Sequence, residues 1–338
     1  MMSAAISLKY RQIDFPLAQV FRIARGAKTE AKVVEVTLMQ DGKVGRAESV
    51  PYNRYQETIG SVANQLDYVQ SRLASGVDID LILAAMSPGS AKNAIDCAYW
   101  DLKAKLAGKT VSQLLSLSEP ASCITAQTLS IDTPEAMALA AAALDHPPLI
   151  KVKLDNQDIA EKMQAIYKSS PHSQFIVDAN EGWSLEQLVD NAQLLADCNV
   201  ALIEQPLSTG EDADLIDINL PVALCADESC HTRKDLDYLA ARYQAVNIKL
   251  DKTGGLTEAV ALAQEAQALG LDIMVGCMVG SSLAMAPAYL LASQAKYVDL
   301  DGPVLVAKDR EYGFNIDRGV MSALDHRLWG GASANYGE

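Results

Sequence analysis

Three acidic residues close consecutive apolar runs: Asp178 ends QFIVD, Glu204 ends VALIE and Asp227 follows PVALCA. Three carboxylates in one oxygen-only site suit a hard divalent cation, and Mg2+ keeps positions open for water or a ligand. Acidic residues also start loops and cap helices, as Glu228 and Asp212 are placed to do. Three of them at successive strand ends favour a shared site. Lys151 and Lys153 lie two apart on one extended run and so point to the same face. Lysines inside a fold are costly unless carboxylates or a ligand pair with them. A nearby cation lowers a lysine's pKa and makes an amine available as a base. Lys252, in KLDKTGG, falls four strands after Lys153, across the same mouth. Taken alone it also reads as a surface lysine before the turn made by Gly254 and Gly255. Opposed bases beside a metal-bound carboxylate can take a proton from one face of a carbon and return it to the other. The cation absorbs the charge of the enediolate between the two steps. That is 1,1-proton transfer, and racemisation or epimerisation follows.

Such groups need a frame that brings distant residues to one place. After about residue 120 short apolar runs alternate with helical segments: CITAQTL, PLIKVKL, QFIVDAN, VALIEQP, PVALCADE, AVNIKL, DIMVGCMV and KYVDLDGP. The polar residues near their ends are Thr128, Lys153, Asp178, Glu204, Asp227, Lys252, Cys277 and Asp301, at intervals of 25, 25, 26, 23, 25, 25 and 24 residues. A period of that length is one strand, one helix and two loops. The expected class is α/β, a (β/α)7β TIM-like barrel over residues 121–307, with all eight positions around one mouth.

Residues 1–120 follow another pattern. Leu8 to Arg11 and Lys32 to Met39 alternate as half-buried strands, and Asp41-Gly42 marks a hairpin. Ser61 to Leu73 and Ser90 to Leu106 read as helices. Strands first and helices later make an α+β capping domain. From 308 to 338 the period is lost, and the segment with Trp329, Gly330 and Gly331 is expected to fold back onto the capping domain.

The chain carries 28 basic and 43 acidic residues, a net charge of −15. Such a field repels phosphate backbones, which argues against nucleic acid and anionic membrane as partners. Residues Ile273 to Ala295 carry no formal charge, long enough to raise a membrane span. Gly276, Gly280, Ser281, Ser282, Pro287 and Gln294 within it favour a buried strand running into a buried helix. The six cysteines show no CxxC and no zinc spacing, and no signal peptide is visible. The expectation is reduced thiols and a cytoplasmic location. A homo-oligomer is compatible with the sequence and not required by it.

Several motifs then combine: KVKLD at 151–155, DAN at 178–180, EQP at 204–206, ADES at 226–229, KLDKTGG at 249–255 and DLDGP at 299–303. Through them most of the chain resembles the enolase superfamily, in its muconate-lactonizing subgroup, whose sites join a lysine or histidine base to Mg2+. FRIARG at 21–26, ITAQT at 124–128, ADESCHT at 226–232, NIKLDKTGG at 247–255 and GCM at 276–278 are similar to bacterial dipeptide epimerases acting on L-Ala-D/L-Glu.

The resemblance implies one Mg2+ per subunit on Asp178, Glu204 and Asp227, with Lys153 and Lys252 as the two acid/base catalysts. It implies substrate contacts for Lys151 and Thr128, with Asp299 and Asp301 holding the dipeptide's α-ammonium as a charge-assisted pair. Arg25 would meet the glutamate side-chain carboxylate, and the backbone around Cys277 would line the pocket. Read without the family, Arg25 is an ordinary loop arginine and the acidic pair caps a helix or meets solvent. Cys277 is then a small packing residue, since one histidine, His231, makes no triad. Lys249 and Asn180 remain candidates for partners of the metal ligands. The implied activity is Mg2+-dependent epimerisation of L-Ala-D/L-Glu dipeptides in murein peptide metabolism. The alternatives are o-succinylbenzoate synthase or muconate cycloisomerase chemistry, an epimerase of other dipeptides, or a non-catalytic barrel. Succinylbenzoate and muconate substrates have no ammonium group, which would leave the acidic pair unexplained.

Overall fold

The computed structural model describes residues 5–23 and 26–332. Its first sheet is antiparallel, in the order β1 (Ser7–Ile23), β2 (Gly26–Gln40) and β3 (Lys43–Ser49). The β2–β3 turn falls at Asp41-Gly42, where both residues take positive φ (48° and 73°), as a tight hairpin requires. β1 runs well past Arg11, where the sequence pattern stopped. Pro16 and a register shift between Pro16 and Phe21 break the alternation that would have revealed its second half. Helices α1 (Ile59–Ala74), α2 (Ile79–Ala85), α3 (Ser90–Ala107) and α4 (Val111–Leu115) follow. α1 starts on a Thr58–Ser61 capping box and buries Val62, Leu66, Val69 and Leu73, one stripe at helical spacing.

A short strand, β4 (Ser122–Ile124), precedes eight parallel strands. These are β5 (Gln127–Leu129), β6 (Leu149–Lys153), β7 (Gln174–Asp178), β8 (Val200–Glu204), β9 (Ala223–Ala226), β10 (Ala245–Ile248), β11 (Asp272–Gly276) and β12 (Tyr297–Asp299), adjacent in chain order. The Ala126 N–H donates to the Val298 carbonyl at 2.8 Å and joins the first barrel strand to the last. Around the ring lie α5 (Pro134–Ala143), α6 (Ile159–Ser169), α7 (Leu185–Asp197), α8 (Leu236–Leu239), α9 (Leu250–Thr253), α10 (Leu256–Ala268), α11 (Ser282–Tyr289) and α12 (Gly302–Leu305). The crossover from β8 to β9 carries only a six-residue 3-10 segment, Asp212–Asp217, where a full helix was expected. The uncharged stretch from Ile273 becomes β11 and α11, and no described helix is long and apolar enough to cross a membrane.

Eight buried residues, one per strand, plug the barrel: Ala126, Leu149, Ile176, Leu202, Cys225, Ala245, Met274 and Tyr297. Strand alternation returns the same face two residues later, at Thr128, Lys151, Asp178, Glu204, Asp227, Asn247, Gly276 and Asp299. The apolar layer is therefore the floor on which a polar layer stands. Beyond the barrel, β13 (Ile316–Asp317) and β14 (Val320–Ser322) form a small sheet with β4. Trp329 is buried and donates from its indole to the Cys97 carbonyl of α3 at 3.2 Å.

Candidate active site

The polar layer is dense with charge. Asp178, Glu204 and Asp227 each offer a carboxylate oxygen within 4.8 Å of the others, and all three side chains are buried. Four lysines reach them. The Lys151 ammonium lies 3.1 Å from Asp178, 2.6 Å from Glu204 and 2.8 Å from Asp299. Lys153 meets Asp178 at 2.5 Å. Lys249 meets Asp227 Oδ2 at 2.6 Å and lies 3.6 Å from Glu204. Lys252 meets Asp227 Oδ1 at 2.6 Å.

Burial opposes the ionised form of Asp178, Glu204, Asp227, Lys151 and Lys249, and the charges around them decide the balance. Burial would raise the Asp178 carboxyl, yet Lys153, Lys151 and Lys249 outweigh it and hold it below the ordinary carboxylate range. Lys249 and Lys252 do the same for Asp227. Glu204 goes the other way: burial and the Asp178 charge push it up to about 8. Burial works against the Lys151 and Lys249 ammoniums, but the surrounding carboxylates keep both well above the usual lysine value. Positive charge is thus in demand at Glu204, and the three buried oxygens form the hard donor set that Mg2+ takes. The residues present fit that cation. The second carboxylate oxygen of Asp178 accepts the Asn180 N–H at 2.8 Å, and Asn247 donates its amide to Glu204 at 2.8 Å, so two ligands are oriented from outside the triad.

The lysine on β10 departs from the sequence expectation. The strand ends at Ile248, Lys249 continues its extended backbone, and α9 begins at Leu250. Ala245, Asn247 and Lys249 therefore share the inward face, and Lys249 lines the cavity. Lys252 sits one helical turn further on, 1% exposed. Its ammonium is held by the Asp227 carbonyl, the Asp227 carboxylate and the Asn247 carbonyl, the last at 2.9 Å. It grips a metal ligand from behind and does not line the cavity. Gly276 makes the approach possible, because a Cβ there would lie 2.5 Å from Asn247 Oδ1 and 3.0 Å from Lys249 Cε.

The cavity above the triad measures about 810 Å³. Its barrel side is lined by Thr128, Lys151, Lys153, Asp227, Lys249, Cys277, Asp299 and Asp301. At one end the Thr128 N–H donates to Asp301 at 2.7 Å. Burial and the Asp299 charge push the Asp301 carboxyl up to about 7. Asp299 keeps one buried oxygen with no hydrogen-bond partner among the described residues. Burial pushes the Cys277 thiol far up, which fits a lining group and not a nucleophile. The capping domain supplies the roof: Phe21, Ile23 and Lys28 from the β1–β2 hairpin, and residues 50–55 after β3. Arg25 lies outside the described residues.

The roof segment 50–55 carried no sequence signal and was missed. It is fastened to the barrel by Arg54, which forks onto Glu181 with two hydrogen bonds of 2.7 Å, and by Tyr55, whose ring packs edge-on to His231 at 4.7 Å between centroids. Burial lowers the His231 pKa, and the ring nitrogen Nε2 lies 3.2 Å from the Glu228 carbonyl.

Sequence comparison supplies the family. Residues 5–116 match the mandelate racemase / muconate lactonizing enzyme N-terminal domain, and residues 135–323 match the enolase C-terminal domain-like family. An N-acetyl-D-glutamate racemase from Pseudoalteromonas sp is 56% identical over 85% of this chain and 92% of its own length. The L-Ala-D/L-Glu epimerase of Escherichia coli (strain K12) is 46% identical over 93% of this chain and 99% of its own. A solved enolase family member from Agrobacterium tumefaciens, with homology to dipeptide epimerases and holding sodium and L-Ala-L-Glu, is 42% identical. It covers 96% of this chain and 100% of its own, with a TM-score of 0.92. Other solved dipeptide epimerases, from Enterococcus faecalis and Methylococcus capsulatus, are complexed with Mg and a dipeptide. With both of its domain families matched, the chain, whose barrel carries an acidic triad, belongs to the mandelate racemase / muconate lactonizing branch of the enolase superfamily.

Proposed function

We propose that this chain is a Mg2+-dependent isomerase that inverts the α-carbon of an N-acylated glutamate, with L-Ala-D/L-Glu as its substrate. One observation carries the reading. Lys153 on β6 and Lys249 at the end of β10 stand four strands apart in an eight-strand ring, both line the cavity, and both touch the carboxylate triad. A cation on Asp178, Glu204 and Asp227 would draw charge from the substrate carboxylate as the α-proton leaves. Lys153 and Lys249 then face opposite sides of that carbon, one accepting the proton and the other returning one. This gives Lys249 the part expected of Lys252, which instead tethers Asp227. Lys151 lies between the triad and Asp299 and meets the substrate carboxylate's negative charge. The free oxygen of Asp299, with Asp301, receives the α-ammonium, beside Thr128 and Cys277. Arg25 remains the partner of the side-chain carboxylate on the strength of the resemblance. Peptides from murein turnover are the natural source of such dipeptides.

The 56% identical racemase favours a second reading. N-acetylglutamate keeps the acylated glutamate and lacks the ammonium. An Asp301 carboxyl pushed up to about 7 can then act as a neutral donor to the acetyl group. The two substrates are separated by incubating the protein and Mg2+ with each in deuterated water and reading deuterium at the glutamyl α-carbon in both configurations. The dipeptide should exchange with the higher kcat/KM, and Asp301→Asn should depress that exchange selectively. Faster exchange of N-acetylglutamate, indifferent to Asp301→Asn, moves the assignment to the second reading. No exchange with either refutes both.

A further inference from the structure

We propose that Asp251 is a positioning residue that fixes the roof segment 50–55 over the cavity by tying it to the turn that carries Lys249. The inference rests on the isomerase reading, since the cavity it shapes is the one assigned to that chemistry.

Asp251 lies two residues beyond Lys249, on α9, and its side chain is turned away from the cavity it follows. It is 7% exposed, and one of its oxygens accepts two hydrogen bonds from the capping domain. The Val50 N–H donates at 3.0 Å and the Asn93 amide at 2.8 Å. Two donors converge on this one buried oxygen, and leaving them without it would cost both their partner, so it is a firm anchor. Val50 is the first residue after β3 and opens the segment whose Tyr52, Asn53, Arg54 and Tyr55 line the cavity. Its carbonyl lies 3.0 Å from the Ser90 hydroxyl of α3, which it shares with the Glu57 carboxylate at 2.6 Å. The peptide group before Val50 is therefore held by the barrel, and the one after it lies against the cap.

The same turn is also the place where α3 seats on the barrel. A Cβ at Gly254 would lie 2.9 Å from Pro88 Cα, and one at Gly255 would lie 2.5 Å from Asp96 Oδ2. Asp96 in turn accepts from the Thr257 N–H at 3.0 Å and its hydroxyl at 2.6 Å. α3 thus has its own hold on the barrel beside the Asn93–Asp251 bond, and the bond that only Asp251 supplies is the one to Val50. That bond sets where the chain leaves β3 and begins the roof. Asp251 acts through Val50 and touches no reacting atom, so its loss should appear in substrate binding and not in the chemical step.

The test uses the full-length protein with saturating Mg2+ and variants Asp251→Ala, Asp251→Asn and Asn93→Ala. Steady-state α-proton exchange is measured with L-Ala-L-Glu and with N-acetylglutamate, alongside Mg2+ affinity by calorimetry and thermal melts. Asp251→Ala should raise KM about tenfold or more, with kcat changing less than about threefold and Mg2+ affinity unmoved. Asn93→Ala, which leaves the Val50 bond in place, should raise KM about threefold. Asp251→Asn keeps an acceptor oxygen and should restore the wild-type KM. A wild-type KM in Asp251→Ala, or a fall in kcat with KM unchanged, overturns the proposal. If Asp251→Ala does not fold, Asn93→Ala decides: a raised KM supports the proposal and an unchanged KM overturns it. Failure of the wild type to exchange either substrate defeats the isomerase reading and this inference with it. Wild-type exchange with an indifferent Asp251→Ala defeats the positioning role alone.

Discussion

The barrel floor and the capping roof of the cavity are held by different means. On the floor, each reactive side chain leaves a barrel strand or its immediate end, is at most 8% exposed and meets one to three charged partners. Strand alternation fixes its direction, and the apolar layer beneath fixes its height. The roof is one hairpin and one six-residue segment, fastened by a few contacts between distant parts of the chain: Val50 to Asp251, Arg54 to Glu181, and Tyr55 to His231. Chemistry is therefore built into the sheet, while closure depends on individual side chains. Damage to the floor should remove catalysis, and damage to the roof should weaken binding.

The largest effect belongs to the two cavity lysines. Lys153→Ala and Lys249→Ala should each lower epimerisation by about 10³-fold or more, and each should leave exchange in only one configuration of the substrate. Lys252→Met should behave differently, because it removes the hold on Asp227 and no proton carrier. Its Mg2+ affinity should fall about 10- to 100-fold, measured by calorimetry, and excess Mg2+ should recover exchange in both configurations. One-sided exchange in Lys252→Met that Mg2+ cannot repair would return the catalytic part to Lys252.

That contrast also marks where the sequence was legible. Asp178, Glu204 and Asp227 could be found because each closes an apolar run and the runs repeat. At the sixth strand the same regularity points to Lys252, 25 residues after Asp227, whereas the lysine that lines the cavity is Lys249. The deciding signal was local: Ala245, Asn247 and Lys249 alternate in register with the plug layer, whereas Lys252 follows a switch from period 2 to a helical turn. The roof had no such signal. Val50 and Asp251 are 201 residues apart and Arg54 and Glu181 are 127 apart, and nothing in either local pattern names its partner. β1 was cut short for a related reason, since its later half pairs across an irregularity at Pro16 that hides its alternation.

Effects on the roof should be smaller. Arg54 is 38% exposed at its side chain, so solvent screens its fork onto Glu181 even though the geometry is bidentate. Glu181 also accepts the N–H and hydroxyl of Thr209, each at 2.9 Å, and keeps its place without the arginine. Arg54→Ala should raise KM by about two- to fivefold, leave kcat within error and leave the Mg2+ affinity unchanged. An Arg54→Ala enzyme as impaired in kcat as Lys153→Ala would erase the distinction between floor and roof.

The smallest effect is one of stability alone, and it tests how the two regions are joined. Burial pushes the Asp251 carboxyl up to about 7, and the Glu57 and Glu48 charges add to the rise against the two donors. No lysine or arginine forms an ion pair with it among the described residues. In the unfolded chain the group returns to an ordinary aspartate value near 4. Between about pH 4 and pH 7 the unfolded state gives up this proton while the folded state keeps it, so the group's contribution to stability falls as pH rises and is level above that window. Asparagine keeps an acceptor for Val50 and Asn93 and does not titrate. The melting temperature of Asp251→Asn relative to wild type should therefore climb by about 2–4 °C from pH 4 to pH 7 and then stay constant. A difference that is flat with pH, or that shrinks toward neutrality, would mean the joint between floor and roof holds a carboxylate already ionised at pH 4.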